Sequence, residues 1–349
     1  MSYGLSRAKV DVLVGIDNDT SCRETYEHEK NGIGSTFLGE NVMTLEIDQL
    51  AEESGIKRKQ DNLLFTGCSP CQYWSKINTD KTKAAKKKNL LERFGEFVEY
   101  YQPGYVLVEN VPGLRNKRNE RVLDRFQQLL KSLNYHFDDG VVDVADYGVP
   151  QKRRRYLLIA SRLDDRIMLP RDRDVQIDKE MAVRAFIGDE NTFPPVKAGH
   201  RDQTDFMHTV SRLSSKNLRR IRKTKKDGGT RLCWADDPEL QIPAYEDKDN
   251  HFMDVYGRMM WDEPAPTITT RFNSLSNGRF GHPEQDRAIS LREGATLQTF
   301  PLDFVFRGSL QGTAKQIGNA VPPRLAEELG KKVVEHFESV SASHFVSSV

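Results

Sequence analysis

The chain has 349 residues, 37% hydrophobic and 30% charged, with 52 Lys and Arg against 51 Asp and Glu for a net charge of +1. That length and composition suit one large domain or two smaller ones with a real core. Four cysteines, of which only Cys68 and Cys71 are closely spaced, no signal peptide and no apolar run of about eighteen residues argue against a disulfide-stapled secreted protein or a membrane span, and point to a soluble, cytoplasmic setting. Balanced charge does not by itself suggest nucleic acid, but its distribution does. Lys76 to Lys88 carries six lysines against one aspartate, and Arg212 to Arg231 carries nine basic residues against one aspartate. Such runs are either solvated faces or phosphate contacts.

In chain order, Val10 to Ile16 reads as a short strand followed by Asp17, Asn18 and Asp19, with a helical pattern from Ser21. An acidic residue at such a strand end commonly binds ribose hydroxyls. The other reading is a helix N-cap, which Asp19 or Thr20 could supply. Leu63 to Thr66 is a second apolar run, emptying into Gly67, Cys68, Ser69, Pro70, Cys71 and Gln72. Open α/β sheets place their chemistry at the carboxyl ends of strands, so Cys71 sits where a nucleophile is useful.

Cys68 and Cys71 also have the C-x-x-C spacing of half a zinc site or a redox pair. No second C-x-x-C or H-x-x-x-H accompanies them, so a four-ligand metal site is disfavoured. A buried structural thiol stays open as a reading of Cys71 taken alone.

Leu90, Leu91, Phe94, Val98 and Tyr101 recur at helical spacing, and Pro103-Gly104 stops that helix. Tyr105 to Val108 reads as the next strand, ending in Glu109-Asn110-Val111. A carboxylate there is costly unless it has a partner or a task. Val122, Leu123, Phe126, Leu129, Leu130 and Leu133 form an amphipathic helix; a β-like segment at Val141 to Val144 leads to Gln151-Lys152-Arg153-Arg154-Arg155, and Tyr156 to Ala160 is another strand. This alternation predicts an α/β fold with a doubly wound, mostly parallel sheet.

After Arg162 the chain turns polar and loses sustained periodicity until about Asp286, with short strands expected at Tyr256 to Arg258 and Pro266 to Phe272. Amphipathic character returns at Leu291 to Gln298, and a last helix after Pro322-Pro323 carries Leu325, Leu329, Val333, Val334 and Phe337. The expected division is a catalytic domain of residues 1–162 and 287–349 around a smaller irregular domain of residues 163–286.

Four elements stand in order: Pro70-Cys71-Gln72, Glu109-Asn110-Val111, Gln151 to Arg155, and Gly318-Asn319-Ala320-Val321-Pro322-Pro323. Together with the polar insert, they resemble the DNA cytosine-5 methyltransferase family over residues 10 to 162 and 287 to 340. The resemblance implies a Rossmann-like fold dependent on S-adenosylmethionine, with Cys71 as nucleophile and Glu109, Arg153 and Arg155 around the base. Thiolate addition at C6 of cytosine turns the 5,6 double bond into an enamine and C5 into a carbon nucleophile. Glu109 at N3 and the exocyclic amine would offset charge on the ring, and Arg155 would hold O2. Arg153 would hold Glu109 or the Cys71 loop. The base must leave the duplex for any of this.

For S-adenosylmethionine the resemblance assigns Asp17 to the ribose, Pro70 and Leu90 to the adenine surroundings, Asn41 to a position where the family usually has an aspartate, and Asn319 with Ala320 to the methionine end. Lys86, Lys87 and Lys88 would neutralise phosphates of double-stranded DNA. The insert would be the target-recognition domain, with Thr267-Ile268-Thr269 resembling the family's threonine-plus-aliphatic marker. Arg271, Asn273, Asn277 and Arg279 nearby are types that read base edges.

The family opens with a strand and an aromatic-x-Gly-x-Gly loop for the cofactor; here only Gly4-Leu5-Ser6 resembles that loop's tail. The expectation is a monomer that binds the cofactor weakly alone, or that takes the missing strand from a partner chain. The activity expected is methylation of C5 in a specific site, in a bacterial or phage restriction or protective system. The rival is a DNA-binding relic that grips its site without transferring methyl. An RNA methyltransferase is a third reading, disfavoured by the long insert.

Overall fold

The computed structural model describes residues 1–68, 90–116, 120–163, 166–170, 180–203, 206–245 and 253–346. Cys71, Pro70, Lys86, Lys87 and Lys88 therefore lie outside the described residues. The chain runs α1 (Ser2–Arg7), β1 (Val14–Ile16), α2 (Arg23–Tyr26), β2 (Thr36–Leu38), α3 (Ile47–Ser54), β3 (Leu64–Gly67), α4 (Leu90–Tyr101), β4 (Tyr105–Asn110), α5 (Glu120–Ser132), β5 (His136–Asp143), β6 (Gln151–Lys152) and β7 (Arg154–Ser161). It continues through α6 (Val183–Ile187), α7 (Ser215–Lys223), β8 (Ala265–Pro266), α8 (Leu291–Leu297), α9 (Leu310–Asn319) and α10 (Pro323–Val346).

The chain divides into two compact units. One comprises residues 2–143, 154–173 and 326–349; the other comprises 144–153 and 174–325. The expected boundaries at 162 and 286 differ from this division. Within residues 287–325, α8 and α9 pack on each other, and α8 also packs on α6 and the Phe206–His208 turn.

The first unit is built on a four-stranded sheet in the order β3-β4-β7-β5. β3 is parallel to β4, and β7 is antiparallel to both β4 and β5, so β7 alone runs against the other three. The mostly parallel α/β fold read from the sequence is what forms. All six residues of β4 are buried, which explains the unbroken apolar run that precedes Glu109. Alternation then sorts the side chains. Val106 and Val108 of β4 and Tyr156, Leu158 and Ala160 of β7 join one core with Leu91, Val98, Leu123, Phe126 and Leu130 of α4 and α5. The odd-numbered residues of both strands face the other way. There the Tyr105 hydroxyl lies 2.9 Å from His336 Nδ1 of α10, and burial pushes that hydroxyl up to about 12.

β1 and β2 form a separate parallel pair. Val14 and Ile16 nevertheless pack in one cluster with Leu50, Leu63, Phe97 and Tyr101. Among the described residues no backbone ladder joins β1 to β3.

The second unit is irregular, as its sequence texture suggested. The short strands expected there shrink to β8, which pairs in parallel with β6, and to a single bridge between Arg258 and Gly281. Side chains supply much of the missing ladder. Arg258, 0% exposed, donates to the carbonyls of Thr224, Ile221, His282 and Gln285 and pairs with Asp286 at 2.5 Å. A planar fork of five donors can satisfy several loop carbonyls at once. Among the described residues, no helix is long and apolar enough to cross a membrane.

Candidate active site

Glu109 is placed by β4 and Arg155 by β7, and the register explains why they meet. Glu109 opposes Leu157 and Asn110 opposes Tyr156, so Arg155 lies one step beyond the carboxyl end of β4. Both residues are odd-numbered and share the face opposite the α4 and α5 core. Arg155 Nε lies 2.7 Å from Glu109 Oε1, with the side chains 11% and 6% exposed. A carboxylate this deep is costly without a partner, and Arg155 supplies one. Beside it, the Asn110 side chain accepts the Val111 N–H at 2.8 Å, which turns the chain at the strand end.

Arg153 does something else. It is 4% exposed and donates through Nη1 to the Ile268 carbonyl at 3.0 Å and through Nη2 to the Ala320 carbonyl at 3.5 Å. Of the two partners expected for Arg153, Glu109 is held by Arg155 instead, and the Cys71 loop lies outside the described residues. The break between β6 and β7 falls at Arg153, separating the arginine that serves the second unit from the one that serves β4.

Of the expected cofactor residues, Asp17 and Asn41 lie past strand ends and the other described ones at helix ends. Asp17 follows β1, is exposed, and accepts the Asp19 N–H at 2.8 Å. Asp19 itself caps the Thr20–Cys22 turn by accepting from Ser21 N–H. The N-cap reading of that stretch thus falls on Asp19. Asn41 is exposed beyond β2, and its Oδ1 accepts the Met43 N–H at 3.1 Å. Leu90 opens α4 and is half-buried. In the second unit, Asn319 is exposed at the last position of α9, and Ala320 caps that helix. Cys68 is exposed just past β3.

The four recognition candidates separate by environment. Arg271 and Asn277 are exposed. Asn273 is 2% exposed, so its amide is not presented to solvent. Arg279 donates to Asp254 at 3.0 Å and to the Gly228 carbonyl at 2.9 Å. It staples two loops together. The basic run around α7 is largely paired as well, through Arg219 with Glu239, Lys223 with Asp237 and Lys226 with Asp286.

Reading the sequence alone gave no role to Gln151 and Gln298, yet both are 0% exposed and bonded to each other at 2.7 Å. The available signal was a glutamine on an amphipathic helix just before Thr299-Phe300, a polar group that must find a partner if buried.

A family model described as C-5 cytosine-specific DNA methylase matches residues 1–335. The type II methylase M.HgiDII of Herpetosiphon aurantiacus is 38% identical over 97% of this chain and 93% of its own length. The type II methyltransferase M1.BsuMI of Bacillus subtilis is 33% identical over 79% of this chain, which spans 62% of that protein. A crystal structure of a prophage-encoded E. coli protein, described as a candidate DNA modification methyltransferase, superposes with a TM-score of 0.70 at 22% identity, covering 96% of this chain and 95% of the other. At that identity the likeness shows the fold alone.

Proposed function

Because the chain belongs to the C-5 cytosine-specific DNA methylase family, we propose that it is a cytoplasmic enzyme that methylates C5 of a flipped-out cytosine in a specific duplex site, through a covalent bond to Cys71. The observation that carries this reading is the buried Glu109–Arg155 pair, 2.7 Å apart where two adjacent strands meet. It places an acceptor and a forked donor together in a setting shielded from water, where such groups act strongly on a bound ring.

The Cys71 thiolate adds to C6, and electron density moves onto C5 and the ring nitrogen N3. Glu109, acting in its carboxylic-acid form, donates its proton towards N3 and accepts from the exocyclic amine, which supports that shift. Arg155, fixed by Glu109, keeps donors for O2 and so aligns the ring. After C5 is methylated, loss of its proton and expulsion of Cys71 restore the aromatic base. Extrusion of the base from the stack is required because C6 is inaccessible to a side chain inside a duplex.

The residues present suit S-adenosylmethionine. Asp17 offers an exposed carboxylate, tethered by the Asp19 N–H, of the kind vicinal ribose hydroxyls require. Asn41, with its oxygen engaged by Met43, keeps an amide nitrogen that can donate to a purine ring nitrogen. Leu90, half-buried at the start of α4, offers apolar surface. When bound, this cofactor supplies an electrophilic methyl group. The test is bisulfite sequencing of DNA from cells expressing the chain: converted cytosines at every site would sink the proposal, and protected cytosines in one recurrent sequence are expected.

A further inference from the structure

The segment after β8 is gripped at successive points, with one residue left outside. Gln151 pairs with Ala265 and Lys152 with Pro266 in the β6–β8 ladder. Beyond it, side chains continue the ladder. Thr267 Oγ1 donates to the Lys152 carbonyl at 2.7 Å, the Ile268 N–H donates to Gln151 Oε1 at 3.2 Å, and the Ile268 carbonyl accepts from Arg153 at 3.0 Å. Gln151 Nε2 donates in turn to the Leu297 carbonyl at 3.0 Å and to Gln298 Oε1 at 2.7 Å. Gln298 Nε2 donates to the Ile317 carbonyl at 2.6 Å.

The next peptide lies against Gly318, where a Cβ would fall 2.3 Å from the Thr269 carbonyl carbon. Phe272 is 0% exposed, its ring against Gly294, where a Cβ would fall 2.2 Å from the ring edge. Between these anchors Arg271 is exposed.

We infer that Gln151 and Gln298 are positioning residues for target recognition: their paired amides fix Ile268 so that Arg271 meets a guanine edge from a rigid backbone. This rests on duplex DNA being the substrate, as proposed above. A primary amide suits the task because it accepts and donates at once. Gln151 receives Ile268 while giving to Gln298, and Gln298 passes the constraint to the end of α9. An apolar side chain at either place breaks that line and leaves buried groups unpaired. Precision matters because a guanidinium reads guanine O6 and N7 only as a planar, bidentate fork. Supporting residues must hold such a group to about 0.5 Å.

The test compares the wild type, Arg271→Ala, Gln298→Leu and the double variant on a pool of duplexes. Two ratios are measured: methylation at the preferred site over sites differing by one base pair, and binding of the same duplexes without cofactor. Arg271→Ala should lower both ratios about tenfold at one G·C pair. Gln298→Leu should lower them at that same pair, with the rate on the preferred site kept within about threefold, and the double variant should be no worse than Arg271→Ala. Gln151→Met carries the same expectation should Gln298→Leu fail to fold.

Additive losses, or an equal loss on every duplex, would show a merely structural role and overturn the inference. Selective binding without methylation would overturn the methyltransferase reading instead, and the binding ratios would still decide the role of the glutamines.

Discussion

Glu109 and Arg155 sit on neighbouring strands of opposite direction, and their side chains meet 2.7 Å apart because both fall on the same face of the sheet. Neither is replaceable without leaving the other charge in a buried place. Arg155→Met should therefore destabilise the fold by about 3 to 5 kcal/mol in denaturant titrations. Adding Glu109→Gln to it should recover much of that loss. Glu109→Gln alone should also cost stability, though less, because the amide oxygen still accepts from Arg155, and it should lower methyl transfer by roughly 10² to 10⁴. Stability and activity thus part company, and a double variant recovering both would remove Glu109 from the chemistry.

The two cysteines of the C-x-x-C should behave differently. Cys71→Ser should abolish methylation and largely spare DNA binding in a gel-shift assay, because a hydroxyl is a far poorer nucleophile than a thiolate. Cys68→Ser should be mild. Wild-type protein should form a denaturation-resistant adduct on duplexes carrying 5-fluorocytosine, since fluorine blocks the final elimination. Equal and complete loss from both serine variants would favour a paired role for the two thiols.

Replacing Lys86, Lys87 and Lys88 by glutamine should weaken binding alike on target and non-target duplexes. If these lysines meet phosphates, the slope of log affinity against log salt should fall by about 2 to 3 units. An altered recognition sequence with an unchanged slope would assign them to base reading instead.

Much of the first unit was legible because its signals are local. β4 is buried on both faces, so its residues spell a continuous apolar run, and Glu109 marks where the run ends. Strand direction is not local: nothing in Tyr156 to Ala160 distinguishes the antiparallel β7 from its parallel neighbours. The second unit was harder, because side chains there replace ladders. Arg258 and Arg279 look like surface cations in a polar sequence, yet one is fully buried and the other staples loops. Asn273 has the right chemistry for a base edge but sits within the fold, whereas Arg271, two residues earlier, is exposed. Residue type suggested the candidates; only packing separates them.

The second unit also carries a buried acid-sensitive cluster. Arg287 grips Glu293 at 2.7 Å, both side chains 0% exposed, and His282 Nε2 lies 3.8 Å from the same carboxylate. Burial opposes ionisation of Glu293, but Arg287, His282 and the Ser290 N–H outweigh it and hold the carboxyl at about 2. Burial, with Arg287, Arg258 and Lys226 nearby, pushes His282 down to about 3 despite Glu293. His282 is thus neutral in the fold, and its Nδ1 accepts the Glu284 and Gln285 N–H groups. Both shifts are downward, so the unfolded chain binds the extra protons, and stability must fall on acidification. The His282 contribution is complete above its ordinary value of 6.5 and is lost towards about 3; that of Glu293 is complete above 4.5 and is lost towards about 2. Between pH 6.5 and 4.5 His282 should dominate this cluster's response, with a slope of up to roughly 1.4 kcal/mol per pH unit. His282→Gln should lower stability at pH 7 yet flatten that slope in urea titrations across the interval. An unchanged slope in the variant would show that the acid sensitivity lies elsewhere.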